Sequence, residues 1–293
     1  MLPEIKPRVA VLMASYNGMN FISEQIQSIQ KQSNINLDLI ISVDKSPDDT
    51  YEYCKNLQYN NLEVLEYGDS LGCAKNFYKL IKNVDLKKYD YVSLADQDDI
   101  WHLDKLDNAI RALKKFNADG YSSNMSAFWP NGEEREILKH YKKKKYDFLF
   151  ESAGAGCTFV LTQELALLIQ DWLAKDKYNI NEFDSHDWLI YAIARMNNMN
   201  WYYDKKSFIS YRQHNHNVTG ANIGLVAKFS RLKALFKGGW FNTNTNLLLQ
   251  IFNDISSHNE KLTYLRFMAN PLNLRRVWYH SLFIYFLKCI KII

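Results

Sequence analysis

Three aspartates fall within four positions in Asp96-Gln97-Asp98-Asp99, directly after the apolar run Tyr91-Val92-Ser93-Leu94-Ala95. An apolar run that stops at acids reads as a buried strand whose carboxylates emerge together at its end. Like charges this close raise one another's pKa unless a cation neutralises them, and a hard divalent ion takes oxygen ligands for that purpose. Such an ion would meet a diphosphate and offset the charge that develops on a departing phosphate. The competing reading is a solvated turn whose aspartates cap a helix ahead of Trp101. The surroundings of the cluster decide between the two.

Two further polar clusters end apolar runs in the same way. Val9 to Ala14 gives way to Ser15-Tyr16-Asn17-Gly18, and Leu37 to Val43 gives way to Asp44-Lys45-Ser46-Pro47-Asp48-Asp49-Thr50. Helical spacing places Ile22, Ile26 and Ile29 on one face, and further helices are expected over 51–57 and 73–83, with strands over 62–67 and 91–95. This alternation predicts an α/β fold with a mostly parallel central sheet flanked by helices on both faces. Ligands of such sheets bind beyond the carboxyl ends of the strands, so the three clusters should line one crevice. Beyond Gly120 the pattern is less regular, with strands expected at 122–128, 158–161 and 207–211 and helices over 163–173 and 188–196.

In order and spacing, Val11-Leu12-Met13-Ala14-Ser15-Tyr16-Asn17-Gly18, Ser42 to Thr50 and Ala95-Asp96-Gln97-Asp98-Asp99-Ile100-Trp101 resemble glycosyltransferase family 2, the inverting enzymes of the GT-A fold. The likeness covers most of residues 8–220. Within it, Glu151-Ser152-Ala153-Gly154-Ala155-Gly156-Cys157, His186-Asp187-Trp188 and Arg212-Gln213-His214 look like the subgroup containing bacterial rhamnosyltransferases.

The resemblance implies a nucleotide-diphosphate sugar donor, with its base and ribose against Ala14, Tyr16, Asp44, Lys75 and Asn76. It makes Asp96 and Asp98 the motif that binds diphosphate through Mg2+ or Mn2+, with Arg212 on the diphosphate and His214 either a further metal ligand or a structural hydrogen-bonder. Asp187 becomes the general base that takes the acceptor hydroxyl's proton, a helix N-cap being the alternative. Gly154, Gly156 and Trp188 fall to the loop around the donor and acceptor sugars. The chain departs from the family at Val43-Asp44, where members often carry two acidic residues, so one base or ribose contact is missing. The implied reaction moves L-rhamnose from dTDP-rhamnose to a saccharide acceptor, lipid-linked, in synthesis of a bacterial surface polysaccharide such as O-antigen or capsule. The rival readings are transfer of another hexose from a UDP-sugar, a noncatalytic nucleotide-sugar-binding scaffold, and a nucleotidyltransferase. A glycine-rich basic phosphate loop, which the last would need, is lacking.

The 293 residues are 47% hydrophobic, which suffices for a sizeable core, and the formal net charge is only +4. So balanced a charge says little about partners, and no nucleic acid is expected. The run Lys142-Lys143-Lys144-Lys145 reads as a solvated surface in preference to an anionic-partner site. The cysteines Cys54, Cys73, Cys157 and Cys289 are too scattered for a zinc motif and point to a reduced cytoplasmic chain. Neither the opening residues nor Leu282 to Leu287 suggest a leader or a bilayer-crossing helix. The expected organisation is a GT-A domain over 1–224, divided near 118 into a nucleotide-sugar half and an acceptor half, followed by a helical extension over 225–293. Leu225, Val226, Phe229, Leu232, Leu235 and Phe236 repeat at helical spacing beside Lys228, Arg231, Lys233 and Lys237. Trp278, Phe283 and Phe286 later stand near Arg275, Arg276, Lys288 and Lys291. These patterns predict peripheral attachment at the inner face of the cell membrane, or else a helix packed on the catalytic domain.

Overall fold

A computed structural model describes residues 5–67, 69–214, 217, 239–256 and 271–289. They fall into two compact units, Met1–His140 with Ala153–His214, and Tyr141–Ser152 with Asn215–Ile293.

In the first unit, β1 (Arg8–Ser15) has parallel neighbours on both sides, β2 (Asn36–Asp44) and β4 (Tyr91–Ala95). That central position buries Val9 through Met13 completely, so the strand reads as a continuous apolar run. β3 (Leu62–Tyr67) extends the parallel set beyond β2, and α1 (Ile22–Gln30), α2 (Thr50–Lys55) and α3 (Cys73–Asn83) connect it. The chain therefore leaves β1, β2 and β4 at one edge, where the three polar clusters begin.

The second half of the sheet adds antiparallel strands to the parallel set. β8 (Val160–Thr162) runs antiparallel to both β4 and β6 (Gly120–Phe128), and β6 pairs antiparallel with β7 (Glu134–Ile137). β9 (Trp201–Arg212) lies parallel to β6 and antiparallel to β5 (Ile100–Trp101). The nine-stranded sheet is mixed because β6 and β7 form a hairpin instead of a helical crossover, and β8 returns against the first parallel set.

α4 (Lys105–Phe116) has no counterpart in the elements expected from sequence. Leu106, Ala109, Ile110 and Leu113 form its buried stripe, and Asn117 closes it in the left-handed conformation. That spacing is legible in the chain. α5 (Gln163–Lys175) and α6 (His186–Met196) pack beside α3. The Tyr78 hydroxyl on α3 donates to the Phe183 carbonyl at 2.9 Å, holding the loop that enters α6.

In the second unit, Tyr146 donates its N–H to the Asn273 carbonyl at 3.1 Å, and the Phe148 ring lies 5.7 Å from that of Phe252. Phe252 belongs to helix Trp240–Ile255, and the last described helix is Trp278–Cys289. The basic helix expected from Leu225 to Lys237 lies outside the described residues. Among the described residues, no helix is long and apolar enough to cross a membrane.

Candidate active site

The loops that follow β1, β2 and β4 are laced together. Asn17 sits at φ 51°, a conformation that asparagine tolerates, and the backbone N–H groups of Asn17, Gly18 and Met19 turn toward the second loop. They donate to Ser46 Oγ at 3.0 Å, Thr50 Oγ1 at 2.8 Å and Asp48 Oδ2 at 3.1 Å. Gln97, which sequence reasoning left without a role, joins the third loop to the first. Its Oε1 accepts from Ser15 Oγ at 2.6 Å and Tyr16 N at 2.9 Å, and its Nε2 donates to the Tyr16 carbonyl at 2.7 Å. A Cβ at Gly18 would stand 2.3 Å from that Oε1, so the clamp requires glycine there.

Asp44 is 1% exposed, and its Oδ2 accepts N–H groups from Leu71 and Gly72 at 3.0 and 2.9 Å. Burial raises its carboxyl pKa against the pull of those two bonds. Its Oδ1 is buried with no hydrogen-bond partner among the described residues. Tyr16 is half exposed, and Ala14 is buried near the end of β1. Two of the expected nucleotide contacts are otherwise engaged. Asn76 is 1% exposed and both ends of its amide are paired with Ser42, so it ties α3 to β2. Lys75 forms a 2.6 Å ion pair with Glu182 at the surface.

In the acidic cluster, His214 Nε2 lies 2.8 Å from Asp98 Oδ2, and Phe21 stacks on the imidazole at 4.4 Å. Arg212 is engaged with the acidic loop and with α1. Its Nε donates to the Asp98 carbonyl at 2.9 Å, its Nη2 to the Glu24 carboxylate, and its plane lies 4.8 Å from the Phe128 ring. These contacts hold the acidic loop in place. The Asp96 carboxyl is pushed up to about 7 by burial and by the neighbouring charges of Asp98 and Asp187. Asp99 goes deeper than expected for a helix cap. It is fully buried, accepts the Arg212 N–H at 3.3 Å, and is pushed well up by burial, then by Asp98 and Asp96. The Cys157 sulfur and one oxygen each of Asp96 and Asp99 lie within 4.8 Å of one another. The oxygens of Asp96 and Asp98 with an adjacent imidazole suit Mg2+ or Mn2+, and the unneutralised repulsion among the acids is what a cation would relieve.

Asp187 is the second residue of α6. Its Oδ1 accepts from Ser185 Oγ at 2.6 Å and from Trp188 N at 2.8 Å, fixing the carboxylate's orientation. Trp188 is 3% exposed and packs edge-on at 5.5 Å from Phe183. Gly156 is needed for a different close approach from the one expected, because a Cβ there would stand 2.3 Å from His186 Nε2. Gly154 carries no such demand, since a Cβ would meet Lys139 and Ser122 at ordinary contact distance. Burial lowers the His186 pKa against the pull of Asp187, which favours the neutral imidazole.

One side chain marks where these groups converge. The partly buried thiol of Cys73, at the first turn of α3, is pushed well up by burial and then by Asp96, Asp187, Asp98 and Asp44 together. Four carboxylates from three separate segments, the ends of β2 and β4 and the start of α6, therefore act on one thiol. A buried lysine stands near Asp99 and Cys157: Lys105 is 1% exposed, 3.5 Å above the Trp101 ring, and donates to Ser93 Oγ at 3.2 Å. Burial lowers its pKa to about 7. Only its buried position on the unforeseen α4 reveals it.

A model of the family described as "Glycosyl transferase family 2" matches residues 10–175. The chain is 38% identical over 254 residues to the "dTDP-rhamnosyl transferase RfbG" of Shigella flexneri, covering 85% of this chain and 88% of that one. It is 30% identical over 165 residues to the Escherichia coli "UDP-Glc:alpha-D-GlcNAc-diphosphoundecaprenol beta-1,3-glucosyltransferase WfgD", covering 54% of this chain and 61% of the other. Among solved structures, S. aureus TarS 1-349 in complex with UDP-GlcNAc superposes with a TM-score of 0.55 at 15% identity, over 96% of this chain and 81% of that one. At that identity the likeness speaks for the fold.

Proposed function

The chain belongs to glycosyltransferase family 2, and from that premise we propose that it transfers L-rhamnose from a dTDP-linked donor to a saccharide acceptor with inversion. The observation that carries this reading is the convergence of Asp44, Asp96, Asp98 and Asp187 on the space around Cys73. A transferase needs the two ends that this space offers, one for a nucleotide diphosphate and one for a proton.

At the donor end, the unpartnered Asp44 Oδ1 accepts an N–H of the pyrimidine, and the exposed Tyr16 ring covers the base. Asp96 and Asp98, with His214, would hold Mg2+ or Mn2+, which when bound supplies positive charge to the departing diphosphate. Gln97 and Arg212 keep that loop in register with the base-binding loop. At the other end, Asp187 takes the proton of the acceptor hydroxyl as its oxygen bonds to the anomeric carbon. The bond from that carbon to the β-phosphate oxygen breaks, and dTDP leaves with the electron pair. Ser185 and the Trp188 N–H fix one Asp187 oxygen, which leaves the other to receive the proton.

The 38% identity with a dTDP-rhamnosyl transferase favours this donor, and the E. coli relative's UDP-Glc donor favours a UDP-hexose as the second reading. That relative also acts on a lipid-linked saccharide, which supports a lipid-linked acceptor here, met at the cytoplasmic face of the membrane during polysaccharide synthesis. The catalytic domain in this reading is 1–224, with 225–293 as an extension. A panel of dTDP-, UDP- and GDP-sugars, scored by binding and by turnover with and without chelator, tests it. We expect dTDP-rhamnose to turn over, the activity to vanish on chelation and to return with Mg2+ or Mn2+. Turnover of a UDP-hexose with no binding of dTDP-rhamnose would sink the rhamnose reading.

A further inference from the structure

The last described helix divides sharply into two faces. Ser281 and Ile284 are buried, and the Ser281 hydroxyl bonds the Pro271 carbonyl and the N–H groups of Leu274 and Arg275. Trp278, Tyr279, Leu282 and Phe286 are 62%, 54%, 39% and 57% exposed. At 3.6 residues per turn these four fall within an arc of roughly 100°. Three aromatic rings and a leucine displayed together on one helix face form the kind of surface that a soluble protein keeps only for a partner.

Two of the basic residues that the sequence places in this tail, Arg275 and Arg276, are engaged by Glu151 and Ser152. Arg275 Nε and Nη2 both lie 3.2 Å from Glu151 Oε2, while Arg276 donates its N–H to Glu151 Oε1 at 2.6 Å and its guanidinium to Ser152 O. Burial works to raise the Glu151 carboxyl, but the two guanidiniums outweigh it and hold it below its usual range. Positive charge comes instead from the lysine run. Lys142, Lys143 and Lys145 are exposed, and the run ends at Tyr146, whose N–H is fastened to Asn273, five residues before the helix begins. The polybasic segment is thereby fastened just ahead of the helix that carries the exposed aromatic face, within the same compact unit.

We infer that the exposed face of helix 278–289 and the Lys142–Lys145 run together form a docking surface for an anionic lipid bilayer. Tryptophan and tyrosine settle at the headgroup level, apolar side chains enter the acyl boundary, and consecutive lysines answer a diffuse negative surface without requiring a fixed geometry. The inference deepens the reading of a lipid-linked acceptor and rests on it for its purpose, since an enzyme held at the bilayer meets such an acceptor in two dimensions.

The test is flotation of the full chain with vesicles of phosphatidylcholine alone or mixed with phosphatidylglycerol. The wild type should float with the mixed vesicles and release at high salt. The triple variant Lys142→Glu, Lys143→Glu, Lys145→Glu and the double variant Trp278→Ser, Phe286→Ser should each bind at least roughly tenfold more weakly. Both should keep the wild-type melting transition and donor turnover without vesicles. Wild-type protein that stays behind, or variants that float as well as wild type, overturn the proposal. So does a wild-type dimer that Trp278→Ser, Phe286→Ser dissolves, since the face then belongs to a second copy. The donor panel contains no lipid, so a failure of the rhamnose reading is separable from a failure here.

Discussion

Glu151 and the Asp96–Asp99 cluster are both acids withdrawn from water, yet their surroundings are opposite. Glu151 has two guanidiniums and a backbone N–H on its oxygens, and its pKa is held down. Asp96 and Asp99 face each other and Asp98, and their pKa values are driven up. Arg212 bonds the Asp98 carbonyl and Glu24 through its guanidinium and Asp99 through its N–H. A buried acid whose cations outweigh its burial is finished structure, whereas acids whose pKa values are driven up by burial and by one another are poised for a ligand that brings positive charge or takes a proton.

The contrast breaks most easily at Asp187. Asp187→Asn should lower the transfer rate by about 10³-fold while leaving donor affinity nearly unchanged, read by single-turnover transfer and calorimetric titration. An equal loss in donor affinity would make Asp187 part of the donor cradle. On the structural side, Glu151→Ala strands two arginines around a buried gap and should cost about 3–5 kcal/mol in denaturant unfolding. Because the folded Glu151 pKa lies below its unfolded value of 4.5, its contribution is present above that pH and is lost as pH falls through the folded value. Acid unfolding should therefore steepen below about pH 4.5 in the wild type and less in Glu151→Gln, and identical profiles would show that the pair carries no stability. The smallest effect is expected at Gln97, whose neutral hydrogen bonds hold the acidic loop to the base loop. Gln97→Ala should weaken donor binding about tenfold with little change in salt dependence, and an unaltered dissociation constant would remove it as the link between loops.

Much of this was legible in the chain. The parallel strands and the three polar clusters at their ends follow from local apolar periodicity, which senses only neighbours within a few residues. The stripe on α4 was there to be read as well. Roles resting on distant partners were hidden. Glu151 stands in a motif shared with a family subgroup, but its arginines lie 124 and 125 residues further on. Nor did the sequence show that Asn76 bonds Ser42 or that Trp188 packs on Phe183, since polar and aromatic side chains near a site also hold its walls together.

By itself the sequence determined which segments become strands and helices and that Asp44 and Asp96 must stand where strands end, since backbone conformation and side-chain alternation are local properties. Only the tertiary structure decided which acid is neutralised, which is left to repel its neighbours, and which basic residues remain at the surface. Those outcomes depend on burial and on separations of a few ångströms between residues far apart in the chain, where the energy of a charge is set by what surrounds it.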